Sequence, residues 1–452
     1  MVLHLVALPA WIYVLVAIAW VLYAWQSRVD RQVRWTSMGV NSFEIVDWMM
    51  QESLDLLVTP LAIASCMNFE VQKEFERDFA PGETVRVKFP QEYLIRDGLV
   101  YSEQPITRRH TNVTCNQIFG VDFGWDSFEQ AVRMERGEAL LRREYVEPAM
   151  AQMRQEFESR AAKFIYQNTS NVVGQLGTAF VDFDTSSAAA RQRLIELGMP
   201  AGKDRGIFVT PSLMRALKKS AISYFNPVTD ISKQYRDGIV GVGDSFDWYE
   251  SVSLYQHTAG TWASTVTVAT GSVNGDTTLA VTCTNGDTFN QGDKIAISAT
   301  NPVNPRTRRK VGSSTRQYTL TASTVGASSA ATLSVSPAFY GPGSQYQNVD
   351  ALPLAGATLT LWPGTTSPNG LTGTVNLAFH TDAFAFVGVE FDNPKPGSVE
   401  ISKQLKDEET GTTISFVRAF DPIGRRWINR MDSCCGFGNL WSDNLSVALA
   451  GN

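Results

Sequence analysis

Residues 146–164 carry the pattern that most limits what this chain can become. Val146, Met150, Met153, Phe157, Ala161 and Phe164 recur at an average of about 3.6 residues, the helical period, and so draw one straight apolar stripe. Glu144, Gln152, Gln155, Ser159 and Lys163 fall mostly on the other side. Pro148 is tolerated in a first turn. The spacing therefore predicts one helix over residues 144–168, about 35–40 Å long at 1.5 Å per residue. A helix of that length with a single apolar face is a beam, and segments from both sides of it in the chain must cover it.

With 452 residues there is room for two or three domains and at least one proper core. Hydrophobic residues at 44% and charged residues at 19% describe a globular chain, not a disordered one. A net charge of −6 without a dominant Lys/Arg run gives no electrostatic reason to grip nucleic acid. Cys66, Cys115, Cys283, Cys434 and Cys435 form no CxxC pair and no His-linked cluster, so they read as reduced thiols in a cytosolic setting. Residues 5–25 carry no charge and are about long enough to span a bilayer, with Arg28, Arg31 and Arg34 following. A signal peptide would need a basic residue before the apolar run and a small-residue cleavage site after it. An anchor would leave the body in the cytoplasm by the positive-inside rule. Met38, followed by Gly39-Val40-Asn41-Ser42, offers a second start, and residues 1–37 are read as an extension outside the mature fold.

Residues 42–64 have a helical apolar edge (Phe43, Val46, Met50, Leu54, Leu57, Leu61) with Ser42 as N-cap, and Pro60 ends or bends it. After Pro81-Gly82, Val85, Val87 and Phe89 alternate as a strand. A turn at Arg96-Asp97-Gly98 then leads into a returning run over 99–123. This long excursion has little room for its own core and should project from the body towards a neighbour. Asp126-Ser127-Phe128-Glu129 fits a helix start, with Asp126 as cap. Residues 186–197 read as a short helix and 207–209 as a strand. Thr210-Pro211 then opens a helix whose Lys218 and Lys219 sit where a helix C-terminus favours positive charge. From about 259 to 374 the texture turns to Thr, Ser, Gly and Val. Six alternating runs (265–269, 278–282, 294–298, 317–322, 331–336, 358–362) lie between turn residues, as in a small β-barrel or sandwich. Helix-bearing chain stands on both sides, so the β segment is an insertion. Strand character resumes over 375–389 and 412–420, and 445–449 is expected to close a sheet.

Chemistry-bearing constellations are weak. Gly238, Gly241 and Gly243 lack the Lys-Ser/Thr of a phosphate loop and read as a turn. Asp182 and Asp184 resemble a metal pair, but beside Phe180, Val181 and Phe183 they fit the wet face of a strand better. His110, His257 and His380 have no partners at metal-ligand spacing. Adjacent Cys434 and Cys435 read as two small buried side chains. GxSxG, HExxH and Cys–His signatures are absent. No catalytic, cofactor-binding or metal residue is assigned, and the chain is read as a non-enzyme.

Several stretches together resemble one family. Gln234-Tyr235-Arg236-Asp237-Gly238, Gly243-Asp244-Ser245-Phe246-Asp247-Trp248-Tyr249-Glu250-Ser251 and His257-Thr258-Ala259-Gly260 are similar to the lead into the insertion domain of tailed-bacteriophage coat proteins. The insertion itself is similar in Gln291-Gly292-Asp293-Lys294, in Asn301-Pro302-Val303-Asn304-Pro305 with Thr307, and in Gln317-Tyr318-Thr319-Leu320. Asn376-Leu377-Ala378-Phe379-His380-Thr381-Asp382-Ala383-Phe384-Ala385 resembles the return to the body. Phe79-Ala80-Pro81-Gly82-Glu83-Thr84-Val85 resembles the start of the family's projecting loop. The likeness runs in order from Met38 to the end, loosening over 432–441; residues 1–37 match nothing in the family.

The resemblance implies an α+β tailed-phage capsid fold. Its parts would be an extension (1–37), an N-terminal arm (38–80), an extended β loop (81–123) and a peripheral domain with the spine helix (124–170). An axial domain (171–258), an inserted β-barrel (259–374) and a returning axial and peripheral part (375–452) would follow. It implies a major capsid protein, a structural subunit that self-assembles as hexamers and pentamers into an icosahedral head around double-stranded DNA. Scaffolding and portal proteins would be its partners, and DNA would be contacted non-specifically at most. Assembly would take place in the host cytoplasm, with no membrane in the mature form. Two other classes stay open at this point. One is a membrane-anchored protein with a β-rich ligand- or surface-binding module. The other is a hydrolase with a carbohydrate-binding β domain, which would need paired carboxylates in a cleft.

Overall fold

The computed structural model describes residues 53, 57, 62–69, 84–88, 92–126, 146–221, 242–391 and 401–451, with short gaps within these ranges. All of this belongs to the unit Glu52–Asn452. The apolar stretch 1–37, nearly all of the expected helix over 42–64, Lys219's side chain and the motif 234–238 lie outside the described residues. No helix among the described residues is long and apolar enough to cross a membrane.

The beam is α1, Glu147–Asn168, 22 residues or about 33 Å at 1.5 Å per residue. Pro148 occupies its first turn, where a missing N–H leaves no intrahelical bond unmade. Val146, Met150, Met153, Phe157 and Ala161 are buried and Phe164 is half-buried, while Gln152, Gln155, Ser159 and Lys163 are exposed. The expected stripe thus faces the core. Three further helices follow among the described residues: α2, Ala189–Glu196, entered through a π-helical turn over Asp184–Ala188, α3, Pro211–Ala221, and the single-turn α4, Ser442–Leu445. Thr210 caps α3, its Oγ1 accepting the Leu213 N–H at 3.3 Å.

Strands β1 to β7 are Thr84–Lys88, His110–Asp126, Asn171–Gly174, Arg205–Val209, Val242–Gly243, Phe246–Glu250 and Gln256–Thr258. Strands β8 to β15 are Val266–Val268, Thr278–Thr282, Thr288–Phe289, Lys294–Ile297, Gln317–Leu320, Thr324–Val325, Ala330–Ser336 and Thr358–Leu361. Strands β16 to β21 are Thr372–His380, Phe384–Gly388, Ile401–Lys406, Thr413–Asp421, Arg426–Asn439 and Ser446–Ala450.

One sheet runs β1-β2-β20-β19-β18, all antiparallel, with β17 paired to β20 beyond the end of β19. It covers the beam. Phe157 of α1 meets Phe119 of β2 at 5.9 Å, Phe386 of β17 at 5.3 Å and Phe437 of β20 at 6.0 Å between ring centroids. Phe164 stacks on Phe437 at 5.5 Å. Covering segments therefore come from before and after the helix in sequence, as its single apolar face requires.

The helix also buries a carboxylate. Glu158 accepts the Ile63 N–H at 3.1 Å and 3.2 Å through its two oxygens, which ties residues 62–64 to the beam. Burial pushes its pKa up to about 7, against the downward pull of the Ile63, Ala64 and Ala62 amides and of Arg154. A carboxyl whose folded pKa exceeds its unfolded value favours the folded state when protonated, so its contribution is lost as pH rises through about 7. From this group, stability should fall by about 3 kcal/mol between about pH 5 and about pH 8. Urea unfolding across that range should show the decline, and Glu158→Gln should flatten it; an unchanged slope in the variant would refute the assignment.

A second sheet runs β3-β21-β16-β4-β6-β5, with β7 paired to the start of β16. β3 with β21 and β4 with β6 are parallel; the other pairs are antiparallel. The run over 445–449, expected to close a sheet, is β21 and lies inside this one, between β3 and β16. Its residues are all buried, and a continuous apolar run without alternation marks a strand covered on both faces.

The six alternating runs of the Thr/Ser/Gly-rich region become the six strands of a closed barrel, in the order β11-β12-β14-β9-β8-β15. Its interior holds Trp262, Phe289, Tyr318 and Phe339 among smaller apolar side chains. Chain enters through β7 and leaves through β16, and these two pair directly, Thr372 opposite Thr258 and Gly373 opposite His257.

Candidate assembly surface

The projecting loop is built differently from the sequence expectation. β1 pairs with the first residues of β2, Thr84 opposite Thr114 through Lys88 opposite His110, and β2 then continues along β20. The returning strand begins at His110, not near residue 99. Between the strands, side chains stand in for a backbone ladder. Gln104 binds the Leu94 amide and carbonyl at 2.8 Å and 2.6 Å, and Arg96 Nη1 donates to the carbonyls of Gly98 and Val100 at 2.7 Å each. Gly98 takes φ +87°, a conformation that favours glycine.

This closure turns apolar side chains outwards. Tyr93, Ile95, Leu99, Val100, Tyr101 and Ile106 are exposed, six of the fifteen exposed large hydrophobics among the described residues. Ile95 and Leu99 are 93% and 98% accessible. The loop meets its own barrel through polar contacts that include Glu92 with Arg308 at 3.8 Å and Gln104 with Gln345 at 3.4 Å. Its polar residues moor it while its apolar ones face away, and so dense a group of exposed apolar side chains marks an interaction surface.

A second arrangement fixes the barrel to the beam. Lys294 opens β11 and reaches, fully buried, to the end of α1. Its Nζ donates to the carbonyls of Tyr166 (2.7 Å) and Thr169, and to Thr319 Oγ1 (2.8 Å), and lies 4.2 Å from the Tyr166 ring centre. Helix-end carbonyls keep spare acceptor capacity and carry partial negative charge, so a cation belongs there. Burial drives the Lys294 pKa well below the ordinary lysine value, and the Asp293 charge opposes that. Asp293 binds His257 Nε2 at 2.8 Å, the Gly260 amide at 3.1 Å and the Asn290 amide at 2.8 Å, tying the barrel's turn to the neck. Between them Gly292 takes φ +96°, and a Cβ there would lie 3.1 Å from the Tyr166 ring.

The residues considered from sequence for chemistry are dispersed. Asp182 and Asp184 do not lie on a strand. Asp182 caps the π-helical turn, accepting from the Thr185 amide at 2.9 Å and hydroxyl at 2.7 Å, and Thr185 holds its pKa below the usual range. Ser/Thr-rich sequence after an Asp favours such local capping over a ladder. Asp126 is the last residue of β2, paired with Arg426, and the helix start expected at 127–129 lies outside the described residues. His110 begins β2 and is exposed, His257 binds Asp293 at the barrel junction, and His380 caps the 3-10 turn Thr381–Ala383 through Nδ1. Cys434 and Cys435 are both buried, Cys434 with Val113, Cys115, Val387 and Val389. Gly238 and Gly241 lie outside the described residues, and Gly243 pairs with Phe246. Lys294 and Asp293, the residues that do the most at the barrel junction, gave no signal in the sequence beyond their place in a family-like turn.

No family model matches the chain, and no curated protein matches it in sequence. Among solved structures it is similar to one from Mycobacterium phage Che8 (12% identity, TM-score 0.44, covering 87% of this chain and 92% of that one). It is also similar to the capsid of the cyanophage P-SCSP1u (10% identity, TM-score 0.37, 83% and 85% covered) and to the mature capsid of bacteriophage PhiM1 (8%, 0.39, 82% and 82%). All three are bacteriophage structures. What the described residues offer is a loop surface left exposed among them, and a barrel fastened to one long helix.

Proposed function

We propose that this chain is a major capsid subunit, a structural protein that self-assembles through hexamers and pentamers into the icosahedral head of a tailed phage around double-stranded DNA. The observation that carries the proposal is the loop over 92–106, whose outward apolar side chains need a covering surface that the described residues do not supply. The ordered likeness of its motifs to tailed-phage coat proteins supports the same reading, as does the combination of long helix and inserted barrel. The −6 net charge suits a shell that holds DNA without gripping it. Scaffolding and portal proteins are the expected partners, and the barrel sets the subunit's spacing from its neighbours.

Size-exclusion chromatography with negative-stain microscopy of the purified chain should give shells or capsomer rings. A triple variant, Ile95→Ser, Leu99→Ser and Tyr101→Ser, should leave subunit stability within about 0.5 kcal/mol, because exposed positions carry little folding energy, yet abolish assembly. A wild-type chain that stays monomeric at every concentration and salt, or a variant that assembles normally, would sink the proposal.

A further inference from the structure

The barrel carries a strongly basic turn between β11 and β12. Arg306, Thr307, Arg308, Arg309 and Lys310 place four cations in five residues. Asn304 holds the turn in shape. Its Oδ1 accepts the Arg306 and Thr307 amides at 3.0 Å and 3.1 Å, and its carbonyl accepts the Arg308 amide at 2.9 Å. Its Nδ2 donates to the Glu196 carbonyl at 2.8 Å, which seats the turn against the end of α2. Arg308 is engaged within the fold: its guanidinium donates to the Ser344 and Gln345 carbonyls and lies 3.8 Å from Glu92. Arg306, Arg309 and Lys310 are exposed, and none of their side chains has an ion-pair partner among the described residues.

The carboxylates on the segments that hold the turn are already engaged. Glu92 faces Arg308, and Glu196 accepts from Gln192 Nε2 at 2.8 Å. Like charges gathered on a fixed turn repel one another, so the three free cations favour a counter-charge brought from outside. Their position says what brings it. Arg308 joins the turn to Glu92 at the base of the projecting loop, so the cations stand beside the apolar surface of 92–106. An apolar patch flanked by charge is the usual anatomy of a protein interface, and a nucleic acid would leave the apolar part uncovered. The chain also supplies the complement. Removing these four cations from its 39 Lys and Arg residues leaves 35 against 45 Asp and Glu, a balance of −10. Glu103, Asp184, Asp247 and Glu250 are exposed carboxylates with no ion-pair partner among the described residues.

We propose that Arg306, Arg309 and Lys310 form a basic rim to the assembly surface and pair with carboxylates of a second copy of this chain, steering its approach to the loop. The inference rests on the assembly reading and adds the chemistry of the partner surface. Rim charges act mainly on the rate of encounter and on its dependence on salt, while the apolar loop sets how long the contact lasts.

Initial assembly rates of the purified full chain, followed by light scattering from about 20 mM to about 500 mM sodium chloride, test it. The wild-type rate should fall about tenfold across that range, because attraction between opposite charges is screened. A variant with Arg306→Gln, Arg309→Gln and Lys310→Gln should start about tenfold slower at low salt and respond little to salt, with its unfolding midpoint unchanged. Arg306→Lys with Arg309→Lys keeps the charge and should keep the wild-type profile. A wild-type chain that never assembles takes this inference down together with the assembly reading. A wild-type rate that ignores salt, or a neutralised variant that matches the wild type at every salt concentration, overturns the rim alone and leaves that reading standing. Duplex DNA captured by the wild type and lost by the neutralised variant, with equal assembly rates, would give the turn to nucleic acid and overturn a second copy as its partner.

Discussion

Lys294→Met should lower stability by about 3–5 kcal/mol, the range seen when one member of a buried charged network is removed. Methionine fills much the same volume, so the loss comes from polar groups and not from a void. The carbonyls of Tyr166 and Thr169 and the hydroxyl of Thr319 lose their shared donor, and each charge-assisted bond contributes about 1.5–3 kcal/mol in such settings. The barrel's own interior, built on Trp262, Phe289, Tyr318 and Phe339, is untouched. Chemical unfolding read by tryptophan fluorescence gives the magnitude, and limited proteolysis should show new cleavage near the neck at 256–258 and 372–374. A loss under about 1 kcal/mol would mean that water replaces the ammonium at the helix end without difficulty.

Phe157→Ala should cost a similar amount, about 3–5 kcal/mol, for the opposite reason. Here no polar group is disturbed; a void opens at a position where β2, β17 and β20 all meet the beam. Phe157 is fully buried and its three ring partners come from strands far apart in sequence, so none can collapse into the gap without pulling on its own strand. Thermal unfolding with a calorimetric check for a single transition would measure it. If the drop is no larger than that of Phe164→Ala, at a half-buried site, then the beam is not pinned at its middle.

How much of this could be read from residues alone depended on the range of the interaction. The beam and the six barrel strands declared themselves because their periods, 3.6 and 2, are local and repeat. The strands of the barrel were bounded by Gly, Asn, Asp and Pro turns that say where each must end. The returning arm of the loop misled because Leu99 and Tyr101 alternate as a strand would, yet Gln104 closes the backbone on itself and leaves them outside. β3 is four residues long and β18 carries two lysines and a glutamine, so neither has a pattern that marks a strand. Asp182 was misplaced because a capping hydroxyl three residues on outweighed the alternation around it. Lys294 was opaque for another reason. Its acceptors lie 125 and 128 residues away, and nothing near it in sequence asks for a cation. The polar contacts that hold module to module are long-range by nature, and they are what sequence patterns conceal.

The paired entry and exit of the barrel have a consequence for how such a chain can change. Thr258 and Thr372 are 114 positions apart, yet their hydroxyls sit 2.9 Å from each other on adjoining strands. To the body, then, everything between them is a bulge on a hairpin, and the cost of closing such a bulge rises only slowly with its length. Lengthening, trimming or exchanging the intervening stretch leaves the register of β7 against β16 where it was. The architecture behaves like a socket, open to whatever module arrives with its two ends side by side.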